Sequence, residues 1–177
     1  LRRYIWEENR LSTYFDTRNG MIGQGYSTKF APWLARGCLS PRRVAHECRK
    51  YENARVKNKS TYWVVFELTW RDFFELTART HGSKLFWRYG FKGIAPQQEW
   101  AGASSPSFKA WTLGRTGAPL VDANMRELVA TGFMSNRGRQ NVASYLAHDL
   151  GVDWRLGAAF FEAHLVDYTA PANWGNW

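Results

Sequence analysis

Hydrophobic residues recur at three- and four-residue intervals along most of the chain, which is the spacing of one face of an α-helix. The first clear segment starts at Ser40 and Pro41, a cap residue followed by proline at the first helical position. The apolar positions that follow share one face: Val44, Cys48 and Tyr51. This pattern predicts a helix from the Ser-Pro pair to about Asn58.

A second helical segment follows directly, with Ser60 or Thr61 as its expected cap. Its large side chains continue at helical spacing: Trp63, Glu67, Trp70, Arg71 and Phe74. The run at 62–66 also has strand propensity, but the pattern persists for about 18 residues, which is too long for a typical strand. We therefore predict a helix here as well.

The C-terminal half begins with a stretch rich in Gly, Pro, Ser and Gln at 82–107, which predicts a long connection with little regular structure. Beyond it we predict three helices, over 122–130, over 135–150 and from a cap at Asp153 to about Val166. Gly132 and Gly151 are expected to close the first two. Because nothing alternates with period two, the sequence predicts an all-α fold in a single domain, 1–177, without internal repeats.

Charge and aromatic content indicate what the protein binds. The chain has 24 Lys and Arg against 15 Asp and Glu, a net charge of +9, and most of the cations are Arg, whose planar fork suits phosphate. Its 10 Trp, 8 Tyr and 11 Phe exceed what a core of this size needs, so we expect a flat ligand. No apolar run approaches the roughly 20 residues of a membrane span, so we expect none.

Cysteine and histidine usage argues against a metal site. Cys38 and Cys48, with four scattered His, fit no zinc pattern. Two cysteines cannot form a disulfide framework, which favours a reduced intracellular compartment, an organelle included. The chain opens at Leu1 without a Met or a leader-like run, so we expect a section of a longer polypeptide.

Several long runs are more specific than periodicity. They are TRNGM at 17–21, YSTKFAPWL at 26–34, GCLSPR at 37–42, STYW at 60–63, ELTWRD at 67–72, VDANMREL at 121–128, the run at 131–144 and NWGNW at 173–177. Together they resemble the flavin-binding helical domain of the cryptochrome/photolyase family, the DASH branch in particular, over essentially the whole chain. That family normally adds an N-terminal α/β antenna domain and a segment after the last Trp, which lie outside these 177 residues, so an incomplete domain is expected.

The resemblance implies FAD as cofactor. It does not indicate whether an antenna pigment is bound. A loop offering hydroxyls, backbone N–H groups and a cation suits the pyrophosphate: Ser27, Thr28, Lys29 and Phe30. The positions implied around the ring, ribityl and phosphate groups are Tyr14, Arg71, Asn136, Arg139, Asp167 and Asn173. The chain departs from the family at Ala31, usually Ser, and at Thr169, usually an Asp expected on the N3 side of the ring.

Three tryptophans match the family's electron-transfer chain: Trp177, Trp154 and Trp100. Indole suits this role because its cation radical is accessible and its π-system is large. Packing in a core is the alternative for any single Trp. Trp111 is a nearby rival for the outer position, for which we prefer Trp100.

Glu67, Trp70 and Gln140 match the pocket that receives a flipped-out pyrimidine dimer, with an aromatic face and polar groups for the base edges. Arg137 is expected to meet backbone phosphate. The alternative for Glu67 is a plain i,i+4 pair with Arg71 on the helix. DNA that is single-stranded or damaged is thus the implied partner.

The implied function is a blue-light flavoprotein domain that transfers electrons, from a family that repairs pyrimidine dimers or signals. The competing hypothesis is a degenerate, non-enzymatic fragment that serves as a structural subunit of a larger protein assembly. Its support is the two departures at Ala31 and Thr169 and the expected missing parts. We expect the isolated chain to be inactive in repair.

Overall fold

The computed structural model describes residues 1–95 and 99–177, and within them the regular structure is helical. The α-helices are α1 (Tyr14–Thr17), α2 (Ala31–Ala35), α3 (Pro41–Ala54), α4 (Lys59–His81), α5 (Pro106–Thr112), α6 (Pro119–Thr131), α7 (Asn136–Ser144), α8 (Trp154–His164) and α9 (Ala170–Asn176). Tighter or wider helical turns lie at Arg3–Glu7, Arg10–Thr13, Gly82–Phe86 and Tyr145–Asp149. The described part contains no strand, only an isolated bridge between Ala101 and Val152, so the predicted all-α class is confirmed.

The chain divides into two compact units, Leu1–Phe73 and Phe74–Trp177, which we call the N-terminal and C-terminal units. Helix α4 begins in the first and ends in the second. Each unit has its own buried apolar cluster. The assignment of 1–177 to a single domain stays a prediction. No helix in the described residues has both the length and the apolar character needed to cross a bilayer.

The core of the N-terminal unit is built on the inner face of α3. Val44, Cys48 and Tyr51 are fully buried, which confirms the predicted face. Burial raises the pKa of the Cys48 thiol to about 12, so this cysteine is a packing residue. The helix ends at Ala54, earlier than the predicted Asn58.

The predicted helix over the second aromatic segment is confirmed and is longer than expected, but its predicted cap is wrong. Asn58 Oδ1 accepts a hydrogen bond from Thr61 N at 3.1 Å and so caps α4. Ser60 and Thr61 lie inside the helix, which begins at Lys59, and their hydroxyls bond to other groups. Ser60 Oγ accepts from Phe15 N at 3.0 Å, and Thr61 Oγ1 donates to Glu52 at 2.7 Å.

Trp111 lies at the centre of the C-terminal unit. Its ring is fully buried and stacks with Phe108 and Phe161, and its Nε1 donates to Val142 O at 3.0 Å. This tryptophan belongs to α5, a helix that the sequence did not predict. Little regular structure was predicted over 82–107, and the described residues from 87 to 105 form no helix or strand, whereas the helical turn at Gly82–Phe86 and the start of α5 were missed. Residues 96–98 of that stretch lie outside the described residues.

The predicted helix boundaries of the C-terminal unit follow local capping. Gly132 closes α6 with φ 70°, Ser135 Oγ accepts from Gly138 N at 2.9 Å, and Asp153 accepts from Arg155 N at 3.0 Å. Helix α7 continues as a wider helical turn to Asp149, so the helical segment has nearly the predicted extent of 135–150. The short helices α2 and α9 were not predicted.

Candidate cofactor-binding site

A cavity of about 170 Å³ opens in the C-terminal unit between α7, α8 and α9. It is lined by most of the residues that the sequence implied for this half of the chain: Asn136, Arg139, Gln140, Asp167, Thr169, Asn173 and Trp177. Three separate elements supply them. Helix α7 carries the first three, and the segment between α8 and α9 carries Asp167 and Thr169. Asn173 lies in α9, and Trp177 directly follows that helix. The fold thus brings these predicted positions to one place.

The charged feature of the cavity is an ion pair between Arg139 and Asp167. Arg139 Nη2 lies 2.8 Å from Asp167 Oδ2, and Arg139 Nε donates to Met134 O at 2.9 Å, which fixes the guanidinium. The Asp167 side chain is only 3% exposed. Its other oxygen, Oδ1, is buried without a hydrogen-bond partner in the described structure. A buried carboxylate oxygen normally accepts a hydrogen bond, so this atom marks a position for a donor group of a ligand.

Two further polar groups face the same cavity. Asn173 is buried in α9, and its Nδ2 donates to Ala158 O at 2.9 Å, which fixes the plane of the amide. Thr169 is the residue before the first turn of α9 and lines the cavity with a hydroxyl where the family usually has a carboxylate. The site therefore has one buried carboxylate, balanced by one arginine.

Trp177 borders the cavity and packs closely on α8. Its ring lies against Gly157, where an added Cβ would come within 2.6 Å of Trp177 Cζ3 and within 2.5 Å of Leu146 Cδ2. Its ring centroid is 5.1 Å from that of Phe161 and 6.3 Å from that of the buried Trp111. A residue with a side chain at 157 would displace the indole.

The other two predicted tryptophans lie further along the C-terminal unit. Trp154 is the first residue of α8, one turn before Gly157, and its Nε1 donates to Arg88 O at 3.0 Å. Trp100 is partly exposed, and its ring centroid is 6.3 Å from that of Tyr89.

A second cavity, of about 830 Å³, lies in the N-terminal unit and is lined by the predicted phosphate loop: Ser27, Thr28, Lys29 and Phe30. Lys29 has a left-handed backbone with φ 55°, a conformation that turns successive N–H groups toward one point. Arg3 and Arg10 also line this cavity. Ala31 is the first residue of α2, directly after the loop.

Tyr14 and Glu67 form a polar cluster in the N-terminal unit. Burial, with the charge of Glu67, raises the pKa of Tyr14 to about 12, so its hydroxyl remains a donor at neutral pH. Glu67 Oε1 accepts from Arg18 Nη1 at 2.7 Å and from Trp63 Nε1 at 3.0 Å. The Arg18 guanidinium also lies 5.1 Å from the centre of the Trp63 ring.

The alternative in which Glu67 pairs with Arg71 is wrong. Arg71 lies 3.4 Å from Asp72, while Arg18 and the Trp63 indole occupy the Glu67 carboxylate. Arg18 was not singled out as a site residue, although it lies within the TRNGM run at 17–21. Trp70 follows on the same helix and is 45% exposed. Gln140 and Arg137 belong to α7 in the C-terminal unit.

The helical fold and the polar cavity beside Trp177 define a flavin-binding domain, and comparison with known proteins agrees. A family model described as the FAD binding domain of DNA photolyase matches residues 63–177. The chain belongs to this photolyase FAD-binding family. Its cofactor is FAD, as predicted.

Individual relatives place the chain near the DASH cryptochromes. Cryptochrome DASH, chloroplastic/mitochondrial, of Ostreococcus tauri is 61% identical over 177 residues, which are 100% of this chain and 32% of the relative. The crystal structure of a Synechocystis cryptochrome has 55% identity and a TM-score of 0.94, covering 99% of this chain and 36% of that one. A class III photolyase from Agrobacterium tumefaciens has 31% identity and a TM-score of 0.85, covering 99% and 35%.

The chain spans about a third of the length of the relatives that it matches. The predicted resemblance to the cryptochrome/photolyase family is confirmed, and the alternative of a degenerate structural fragment is not favoured by these comparisons.

Proposed function

We propose that this chain is the flavin-binding part of a blue-light-driven flavoprotein that transfers electrons and acts on pyrimidine dimers in single-stranded DNA. The observation that carries the proposal is the buried Asp167, held by Arg139 with one oxygen open, in the same cavity as Asn173 and Trp177. Bound FAD supplies light absorption and one-electron chemistry.

The residues of the C-terminal unit fit the ring of a flavin. Asp167 Oδ1 offers an acceptor to a ring or ribityl donor, and Arg139 pairs with the other oxygen of that buried carboxylate. Asn173 presents an amide that suits an oxidised or a reduced ring, because an amide both donates and accepts. Thr169 offers a hydroxyl on the side where a carboxylate is usual.

In the N-terminal unit, the loop at 27–30 fits a pyrophosphate. Ser27 and Thr28 supply hydroxyls, Lys29 a cation and a left-handed backbone, and Arg10 a second cation lining the same cavity. Ala31 contributes no hydroxyl, and Glu8, which pairs with Arg10, lines the same cavity.

The three tryptophans form the electron route from the surface to the cavity, from Trp100 through Trp154 to Trp177. Trp177 borders the cavity, and Trp154 lies one helical turn from the glycine on which Trp177 packs. The outer donor must reach the surface, and Trp100 is partly exposed whereas Trp111 is fully buried. This contrast supports Trp100 over Trp111.

The proposed lesion-binding residues are Glu67, Trp70, Gln140 and Arg137. In the N-terminal unit, Trp70 offers an exposed ring for stacking, and Glu67 is held in place by Arg18. Gln140 lines the cavity of the C-terminal unit, and Arg137 supplies a charge for backbone phosphate.

The test of the proposal is to titrate the purified 177-residue chain with FAD and illuminate it with blue light in the presence of a reductant. We expect binding near 1:1 and loss of the absorption of the oxidised flavin under light. A chain that is folded by circular dichroism but binds no FAD would overturn the proposal.

A second prediction concerns Glu67→Gln, which keeps the size of the side chain and removes its charge. A neutral amide makes weaker hydrogen bonds to base N–H groups than a carboxylate does, so the preference for dimer-containing over intact single-stranded DNA should fall by on the order of tenfold. FAD affinity should not change. The assay is fluorescence anisotropy with the two oligonucleotides at a fixed salt concentration, because phosphate contacts are strongly salt-dependent.

The matched control is Glu75→Gln, which removes a carboxylate that pairs with Arg79 on the exposed face of the same helix. It should leave the preference for damaged DNA intact. An equal loss in both variants would mean that general charge, rather than the position of Glu67, sets DNA binding.

A further inference from the structure

The outer end of the proposed tryptophan route carries a tyrosine that the route does not use. Tyr89 has a ring centroid 6.3 Å from that of Trp100, at an interplanar angle of 45°. It is 40% exposed, so part of the side chain meets solvent. The adjoining residue, Arg88, accepts a hydrogen bond from Trp154 Nε1 through its carbonyl oxygen. One dipeptide therefore contacts two of the three proposed electron carriers.

One guanidinium, that of Arg88, lies beside both Trp100 and Tyr89. The Arg88 guanidinium lies 5.7 Å from the Trp100 ring and 5.6 Å from the Tyr89 ring. Arg88 Nε is 3.7 Å from Asp153, a carboxylate that Arg155 already holds at 2.8 Å. Two arginines thus share one carboxylate, so these three side chains together carry a net charge of +1. A cation radical on Trp100 is destabilised here by like-charge repulsion.

We propose that Tyr89 is the terminal electron donor of this chain, a role that rests on the proposed tryptophan route. When bound, FAD would supply light-driven one-electron oxidation of the tryptophans, which would leave Trp100 as a cation radical. Tyr89 passes one electron to Trp100, and its phenolic proton leaves to water. The products are neutral Trp100, a neutral tyrosyl radical and a solvated proton.

Charge explains the direction of this step. Oxidised Trp100 carries a positive charge beside Arg88, whereas oxidised Tyr89 carries none once its proton is lost. The transfer removes one unit of positive charge from the neighbourhood of Arg88 and Arg155. Trp111 does not suit the role of a terminal donor that releases a proton to water. It is fully buried, and its Nε1 hydrogen is bonded to Val142 O.

The experiment is laser-flash spectroscopy and electron paramagnetic resonance on the FAD-loaded chain, in wild type and in Tyr89→Phe. Wild type should show a tryptophan radical that decays as a neutral tyrosyl radical grows. Tyr89→Phe should form the tryptophan radical at the same rate, lose the tyrosyl signal and return to the dark state faster, on the order of tenfold. The control is Tyr62→Phe, which removes an exposed tyrosine whose ring contacts are with Trp63 and Phe66.

A second measurement needs no flavin. Azide radicals generated by pulse radiolysis oxidise tryptophans of the unloaded chain. In wild type, some of the tryptophan radicals should then oxidise tyrosine, and the yield of tyrosyl radical should be lower in Tyr89→Phe. This arm tests the contact between Tyr89 and Trp100 by itself.

The outcomes separate the two proposals. If wild type binds FAD but shows no tryptophan radical after a flash, the tryptophan route and the role of Tyr89 both fail. If the tryptophan radical forms and Tyr89→Phe behaves as wild type in both measurements, the route stands and Tyr89 is not its terminal donor. A tyrosyl signal that survives in Tyr89→Phe at full amplitude also overturns the assignment.

Discussion

The Asp167→Asn variant is expected to lose about 3–5 kcal/mol of FAD binding free energy, which weakens the affinity by a factor of hundreds to thousands. The carboxylate is 3% exposed and lies 2.8 Å from Arg139. Removing its charge leaves the arginine without a counter-ion beside the cofactor, and it replaces the open acceptor at Oδ1 by a group that can also donate. The measurement is titration of FAD by the quenching of its fluorescence.

The control is Asp149→Asn, because Asp149 is an exposed carboxylate in the turn after α7. It should bind FAD as wild type does. Since a partly buried arginine without its partner can also destabilise the unit, thermal unfolding without FAD is measured in parallel. A double variant, Arg139→Leu with Asp167→Leu, removes both charges together and is expected to keep the fold. If this folded double variant still bound FAD with wild-type affinity, the ion pair would not belong to the flavin site.

The Gly157→Ala variant is expected to slow photoreduction of the flavin by at least tenfold, as far as Trp177→Phe does. An alanine methyl would overlap the Trp177 ring and lie 2.5 Å from Leu146 Cδ2, so the indole has to move. Such overpacking costs about 1–3 kcal/mol of stability. Electron transfer depends steeply on the position of the donor ring, so a displaced indole donates slowly. Steady blue illumination, with absorption followed in time, measures the rate.

Gly102→Ala is the matched control, because a Cβ added at Gly102 meets no atom of the described residues within 4 Å. It should photoreduce at the wild-type rate. The absorption spectrum of bound FAD should stay similar in all three variants, which shows that the cofactor is still in place. Wild-type photoreduction in Trp177→Phe would remove Trp177 from the electron route, and a wild-type rate in Gly157→Ala would show that the core yields without moving the indole.

The proposed lesion-binding residue Glu67 differs from the proposed flavin-binding residues in already having protein partners for its carboxylate. In the N-terminal unit, Arg18 and Trp63 both donate to Oε1 of Glu67, which orients the carboxylate while its Oε2 accepts neither bond. A base edge would therefore meet a fixed acceptor. This arrangement makes Arg18 a positioning residue for Glu67.

Much of this protein was set by the sequence because the interactions involved are local. Helix periodicity at α3 and α4, and the caps at Gly132, Ser135 and Asp153, depend on residues within about one turn of each other. The long motifs, which occur in the same order along the chain as in the family, likewise allowed the family and its cofactor to be predicted from the sequence.

Only the tertiary structure decided which side chains meet across long stretches of chain. Glu67 pairs with Arg18, 49 positions away, although a helical neighbour was available at Arg71. The sequence alone did not distinguish Trp100 from Trp111 as the outer electron donor. Their burial differs, because Trp111 of α5 packs into the core of the C-terminal unit. The contact of Trp100 with Tyr89 likewise follows from the path of the chain between helices, where no periodic pattern constrains it. Burial and long-range pairing depend on how elements pack, and a local pattern does not contain that information.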